Sequence, residues 1–249
     1  MKDLSVVVLA AGKGKRMNNP DTPKVLAKLL GKPLIYYVVN VVFELKPKTI
    51  ILVVGHKGDL VKEYIQSEGY KDILFANQEQ QLGTGHAVLM ANNLLDNFDG
   101  NTLILAGDIP NITYETLSTF IKAHYENHND LSVLSANANN PFGYGRIVRN
   151  DKNEFLKITE QKDADTNIQK ITEINSGIII VDNRLLFNLL GKVKNNNNQS
   201  EYYLTDIIEI AVSENYKVNA IQADNFDELQ GINTLEELTK AENYKKLRG

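Results

Sequence analysis

Short apolar runs alternate with stretches of helical periodicity through the first half of the chain. Residues 4–9 (LSVVVL), 49–54 (TIILVV), 73–76 and 102–106 (TLILA) are apolar and rich in β-branched side chains, and they predict buried strands. Between them the pattern predicts helices over 33–45, 59–67 and 85–95, with a fourth over 113–127. Pro33 stands at a helix start, where its missing N–H costs least. Asp59 and Thr113 are residue types that cap helices. A further strand is predicted over 131–136. Strands alternating with helices imply an α/β fold, a mostly parallel sheet covered on both faces and joined by right-handed crossovers. In such sheets the ligand crevice lies at the carboxyl ends of the strands. The loops that begin at Ala10, Gly55, Asn77 and Gly107 open there.

The second half has a different pattern. Residues 146–148 and 154–158 flank Asn150-Asp151-Lys152-Asn153 and predict an antiparallel hairpin. A strand is predicted over 178–181, a helix over 184–190, a helix over 204–212 and a strand over 218–222. The four asparagines at 195–198 read as a polar loop. Thr234, with Glu237 three residues on, is a capping box that starts a final helix. No internal repeat and no Pro/Gly/Ser-rich boundary divides the chain. One domain with a substrate-side insertion over about 137–230 is expected.

Composition narrows the chemistry. The chain has 249 residues, 43% of them hydrophobic, enough for a packed core. Without cysteine, thiolate catalysis, disulfides and Cys-based zinc sites are excluded. With 27 basic and 31 acidic residues the net charge is -4, which offers no basic field to nucleic acid. No apolar stretch approaches the roughly 18 residues of a membrane span, and the N-terminus does not read as a signal peptide. A cytoplasmic protein is the expectation. The four histidines lack metal-ligand spacing. His124 and His128, four apart on one helix, read as a solvated face.

The stretch that organises the chain is LAAGKGKRM at 9–17, followed by Pro23-Lys24. Small residues at Ala10, Ala11, Gly12 and Gly14 let backbone approach a ligand. Lys13, Lys15, Arg16 and Lys24 add positive charge, so the loop suits phosphate. Neither a Walker loop nor a dinucleotide fingerprint fits it; the alternative is a flexible basic surface loop. Gln78 and Gln81 in NQEQQLGTGH each offer donor and acceptor to a base edge, or belong to a polar loop before a helix. Asp108 in LAGDIP follows a buried strand and is either a Mg²⁺ ligand beside the phosphate loop or a turn cap. Residues 141–146 (PFGYGR) cover a sugar or merely turn. Glu160 and the 173–177 segment bind sugar hydroxyls or satisfy strand ends. Asn233 caps a helix or lends its carbonyl to a metal. No nucleophile elbow is present.

Taken together, LAAGKGKRM, Pro23-Lys24, QEQQLGTGHA, LAGDIP, FGYGRIVR, EINSGI, NNNNQSEYYLTDII and GINT run in one order over almost the whole chain. The chain resembles the uridylyltransferase domain of the bacterial bifunctional N-acetylglucosamine-1-phosphate uridylyltransferase/glucosamine-1-phosphate acetyltransferases. The resemblance implies a Rossmann-like nucleotidyltransferase fold with an antiparallel sugar-side subregion. It implies UTP and N-acetylglucosamine 1-phosphate as substrates, and UDP-N-acetylglucosamine, a precursor for peptidoglycan and lipopolysaccharide, as product. By motif, Leu9, Ala10, Ala11, Gly12, Gln78, Gly83 and Thr84 would hold the nucleotide. Arg16, Lys24 and Asp108 would be catalytic, and Asp108 and Asn233 would hold Mg²⁺. Gly145, Glu160, Asn175 and Asn233 would meet the sugar. Residues 1–136 would then form the nucleotide-binding core, 137–230 the sugar-binding subregion, and 231–249 the metal-ligand segment and last helix.

Because the sugar phosphate is itself the nucleophile, such a reaction needs no protein nucleophile, and positioning with charge neutralisation carries the rate. Three departures stand out. Lys15 replaces a small hydroxyl residue usual in the family, and Ala106 replaces a frequent tyrosine. No hexapeptide repeat is read within these 249 residues, so no acetyltransferase domain is expected among them, and the sequence is either a natural one-domain protein or part of a longer bifunctional one. The alternatives are a pyrophosphorylase for another nucleotide or sugar, such as UTP with glucose 1-phosphate, and a non-catalytic nucleotide-sensing domain.

Overall fold

A computed structural model describes residues 3–12 and 22–248. The first half contains strands β1 (Asp3–Ala10), β2 (Lys28–Leu29), β3 (Lys32–Pro33), β4 (Thr49–Val54), β5 (Ile73–Asn77), β6 (Gly100–Ala106) and β7 (Leu131–Asn137). Its helices are α1 (Leu34–Glu44), α2 (Gly58–Ser67), α3 (Thr84–Leu89), α4 (Asn92–Leu95) and α5 (Tyr114–Glu126). The second half adds β8 (Arg146–Arg149), β9 (Phe155–Thr159), β10 (Glu173–Asp182) and β11 (Val218–Gln222), with α6 (Asn183–Leu190), α7 (Asp206–Ser213) and α8 (Leu235–Arg248).

The main sheet runs β11-β7-β10-β6-β1-β4-β5, and the hairpin β8–β9 joins it through β10. The pairs β1–β4, β1–β6, β4–β5 and β7–β11 are parallel. The exception is β10, which lies between β6 and β7 and is antiparallel to both. The expected mixed architecture, a mostly parallel sheet with an antiparallel part in the second half, is therefore present.

Side chains alternate across this sheet, as strand geometry requires. Val6, Val8, Leu52 and Leu105 pack on one face with the apolar stripes of α1, α2 and α5. Val7, Ile51, Val53 and Ile104 pack on the other with α3, α4, α6 and α7. On α1 the buried set Leu34, Ile35, Val38, Val39 and Val42 repeats at helical spacing. The helix stops at Glu44, just before Lys46 (φ 50°) and Pro47. Among the described residues no helix is long and apolar enough to cross a membrane.

Some boundaries differ from expectation, each for a local reason. The helix expected over 85–95 is broken into α3 and α4 at Met90-Ala91. Asp59 lies in the first turn of α2 instead of capping it; the cap position is Lys57, in the left-handed region. The strand expected over 178–181 is ten residues long, because the polar residues 173–177 continue it through a bulge. The His124–His128 pair is not a solvated face. His124 is 1% exposed and shares the inner stripe of α5 with Leu117, Phe120 and Ile121. Its Nδ1 meets Ser132 Oγ at 2.9 Å and its Nε2 lies 3.3 Å from Asn101 Nδ2. His128 lies beyond the helix end, with φ 51°. Thr113 does cap α5, accepting from Thr116 N–H at 3.2 Å. The Thr234–Glu237 capping box closes at 3.1 and 3.0 Å.

Candidate functional site

Parallel pairing brings the carboxyl ends of β1, β4, β5 and β6 to one edge, where a cavity of about 310 Å³ opens. The end of β1 supplies Leu9, Ala11 and Gly12. Gly12 faces open space, so backbone is exposed there to a ligand. Ala10 is only 3% exposed and packs in the core beneath the cavity. The Leu9 carbonyl accepts from Gly107 N–H at 2.9 Å, which joins the ends of β1 and β6. Lys13, Gly14, Lys15 and Arg16 lie outside the described residues, so the phosphate-loop expectation rests here on Gly12 and Lys24 alone.

The opposite wall is the loop after β5. Gln78, Gly83 and Thr84 all line the cavity. Gln78 is 4% exposed; its Nε2 donates to the Gly83 carbonyl at 3.0 Å and lies 3.1 Å from His86 Nδ1. Gly83 has φ +114°, and a Cβ there would stand 2.5 Å from the Tyr202 carbonyl. The loop is stitched to the 201–204 segment: Gly85 N–H donates to the Tyr202 carbonyl at 2.8 Å, and Tyr202 N–H to the Leu82 carbonyl at 2.7 Å. The Thr84 hydroxyl accepts from Leu204 N–H at 3.0 Å. Gln81 donates to the Ala11 carbonyl at 2.7 Å, bracing one wall against the other.

At the inner end of the cavity, Lys24 Nζ forms an ion pair with Asp108 Oδ2 and donates to Asn233 Oδ1 at 2.6 Å. Asp108 and Asn233 are far apart in sequence, but Ile232 N–H donates to the Asp108 carbonyl at 2.9 Å and holds the two segments together. Asn233 Nδ2 is turned toward the Gly231 carbonyl at 3.3 Å, which leaves Oδ1 for the cation. Two oxygen ligands thus converge on one positive charge. That donor set fits a hard divalent cation that takes its remaining ligands from phosphate and water. Among the described residues no group of three or more His, Cys, Asp or Glu side chains is arranged to hold a metal.

Gly145, Glu160 and Asn175 form a separate cluster. A Cβ on Gly145 would lie 3.3 Å from Glu160 Oε1. Asn175 N–H donates to the Gly145 carbonyl at 2.9 Å. Asn175 Oδ1 accepts from Gly177 N–H at 2.9 Å across the bulge in β10. Glu160 accepts from the Thr205 hydroxyl at 3.1 Å. Burial pushes the Glu160 carboxyl above its ordinary range, against the opposing effect of the Thr205 bond. Asp206 is pushed up to about 6 by burial and by its neighbours Glu209, Glu160 and Asp163. Asn233, expected with both sugar and metal, sits with Lys24 and Asp108 and not in this cluster.

Between the two clusters stands Tyr144. Its ring packs edge-on against Phe226, 5.6 Å between centroids. Burial, with the charges of Glu237 and Asp108 behind it, raises its phenol to about 12. Sequence reasoning missed Thr205, Asp206, Tyr144 and Glu201, which lines the cavity. The EYYLTDII motif was the available signal for three of them, but it does not show which side chains turn inward.

A mixed α/β sheet with a glycine-walled crevice at its strand ends, a lysine–carboxylate pair inside it and a polar cluster beside it defines a nucleotide-handling transferase. The chain belongs to the nucleotidyl transferase family, whose profile matches residues 5–229, and it is a nucleotidyltransferase. It is 46% identical over 242 residues to the bifunctional protein GlmU of Streptococcus sanguinis and 45% identical to that of Streptococcus gordonii. Those alignments cover 97% of this chain and 52% of each relative, so the chain spans about half the length of these curated relatives. Among solved structures, a UDP-glucose pyrophosphorylase in complex with UDP-glucose superposes with a TM-score of 0.78 at 18% identity, with both chains covered in full. A putative glucose-1-phosphate thymidylyltransferase from Bacillus anthracis gives 0.73 at 17% identity, covering 97% of this chain and 94% of that one. These structures share the fold.

Proposed function

We propose that the chain transfers UMP from UTP to N-acetylglucosamine 1-phosphate, releasing pyrophosphate. The observation that carries this reading is the Lys24–Asp108–Asn233 cluster at the inner end of the glycine-walled cavity. The Gly145–Glu160–Asn175 cluster lies beyond it, and the similarity to GlmU proteins covers both. In the reaction a phosphate oxygen of the sugar 1-phosphate forms a bond to the α-phosphorus of UTP. The bond from that phosphorus to the α–β bridging oxygen breaks, and the electron pair leaves with pyrophosphate. The attacking group is already an anion at neutral pH, so no side chain has to remove a proton.

The residues then divide the work. Backbone at Ala11 and Gly12 admits the phosphates, and Gln78 with Gly83 and Thr84 meets the uracil. Lys24, with Arg16 outside the described residues, neutralises charge on the phosphates as it builds up. Asp108 and Asn233 would hold Mg²⁺, which supplies further neutralisation of the triphosphate when bound. Glu160, braced by Thr205, and Asn175 would take the sugar hydroxyls and the acetamido group.

A panel of sugar 1-phosphates with UTP tests the assignment by pyrophosphate release. N-acetylglucosamine 1-phosphate should give the highest kcat/KM. The reading fails if glucose 1-phosphate, the natural comparator given the fold neighbours, outperforms it.

A further inference from the structure

The geometry points to His86 as the residue that sets which nucleobase the cavity accepts, by fixing the orientation of the Gln78 amide. This rests on the reading above in which Gln78 meets the base. A carbonyl oxygen can only accept a hydrogen bond. The Gly83 carbonyl at 3.0 Å therefore identifies that end of the Gln78 amide as its NH₂ group. The second N–H of the same group points to His86 Nδ1 at 3.1 Å. A donor facing Nδ1 pairs with the lone pair there, so Nδ1 is the acceptor of this contact.

Both hydrogens of Nε2 are thereby used within the protein. Among the described residues no donor reaches Oε1, and Gln78 lines the cavity. The atom left for a ligand is thus an acceptor. Uracil offers N3–H, a donor, at its pairing edge. Cytosine offers a bare N3, so acceptor would face acceptor. Cytosine placed with its N3 at that oxygen would need the amide to turn over. That would set the Gln78 oxygen against the Gly83 carbonyl, and it is opposed as long as Nδ1 also demands a donor.

The Gly83 contact alone does not hold the amide firmly, because the Gly83 carbonyl already accepts from Ala87 N–H at 3.1 Å in the first turn of α3. His86 supplies the second point that locks it. His86 is half-buried and lines an adjoining hollow together with Leu82, Leu89, Val193 and Tyr202. His86 is a positioning residue and does not touch the substrate itself.

The test compares UTP with CTP, by kcat/KM with N-acetylglucosamine 1-phosphate and by equilibrium binding of each nucleotide. His86→Phe keeps a ring and removes the acceptor, and His86→Leu is the second variant should Phe disturb folding. Either should lower the UTP-over-CTP preference at least about tenfold, with thermal stability near wild type. His86→Asn presents a carbonyl where Nδ1 stood and should retain the preference within about threefold. An unchanged preference in the Phe and Leu variants overturns the inference, as does a loss in His86→Asn equal to theirs. Gln78→Ala separates the two levels. If it leaves the preference intact, the base-reading role of Gln78 fails; if it lowers the preference while His86→Phe does not, only the role of His86 fails.

Discussion

The two walls of the site are built in opposite ways. The nucleotide wall is closed by backbone: Gly107 to Leu9, Gly85 to Tyr202 and Tyr202 to Leu82 are all main-chain bonds. Gln78, the side chain proposed to meet the base, is neutral and lines the cavity. The sugar wall is closed by charged and titratable side chains. Glu160 leans on Thr205, Arg146 donates to Gln161 Oε1 at 2.8 Å, and the Asp206 carboxyl is pushed up to about 6 by burial. Among the described residues, the buried atoms Arg146 Nε and Asp163 Oδ2 on that side have no hydrogen-bond partner. A wall made of main chain keeps its shape whatever the pH. A wall made of buried carboxylates changes its hydrogen-bonding capacity as they titrate. Under the proposed assignment, recognition of the nucleotide and discrimination of the sugar thus rest on different physics.

The largest expected effect lies where the walls meet. Asp108→Ala should lower metal-dependent turnover by at least about a thousandfold with little change in melting temperature, since the proposed metal site then loses the one carboxylate that the described residues give it. Near-normal rates would remove Asp108 from the metal site. Next comes Glu160→Gln, which keeps shape and removes charge. It should raise KM for the sugar phosphate by about ten- to a hundredfold and leave KM for UTP within about twofold. Equal changes in both would erase the distinction between the walls.

The same contrast holds against pH. Protonating Glu160 turns an acceptor into a partial donor, so KM for the sugar phosphate should rise as pH falls through its raised value while KM for UTP stays flat. The smallest effect concerns stability. With a folded value of about 6 against an ordinary 3.8, Asp206 binds its proton more tightly in the folded state than in the unfolded one. Its contribution is favourable below about pH 4 and is lost as pH rises through 6. Asp206→Asn should therefore melt about one to three degrees higher than wild type at pH 8, a modest gain because the group is half in solvent. The difference should vanish near pH 4. A gain of the same size at both ends would mean that charge burial is not the cause.

Much of this was legible in the sequence. Residues 49–54 and 218–222 are strands to the residue, because β-branched runs bounded by breakers leave little choice. The capping box at Thr234 is a local code and closes as written. What local pattern does not carry is partner and direction. β10 reads like any buried strand, yet it enters the sheet between β6 and β7 and antiparallel to them, which only tertiary pairing decides. His124 looked solvated because polar residues surround it in sequence. Its hydrogen-bond partners, Ser132 and Asn101, come from β7 and β6, the strands against which α5 packs. The convergence of Lys24, Asp108 and Asn233 was expected from motifs, whereas Thr205 beneath Glu160 was not. A threonine at a helix start reads as a cap, and only the fold shows which carboxylate lies within its reach.

The placement of β10 also sets a length scale. Its register, Ile179 opposite Ile104, brings the Asn175 end of β10 and the Asp108 end of β6 to the same edge. Ile178, Ile179, Ile180 and Val181 behind Asn175 are fully buried. In the proposed reaction the spacing between the acceptor and donor substrates is therefore written in the rungs of the central sheet, as on a rigid gauge block. Adjustment to a longer or bulkier sugar has to come from the outer part of the β8–β9 hairpin and the 195–200 segment, which carry no rung of the β6–β10–β7 core. Variants selected for altered sugar scope should accumulate there, with β10 and β6 left untouched.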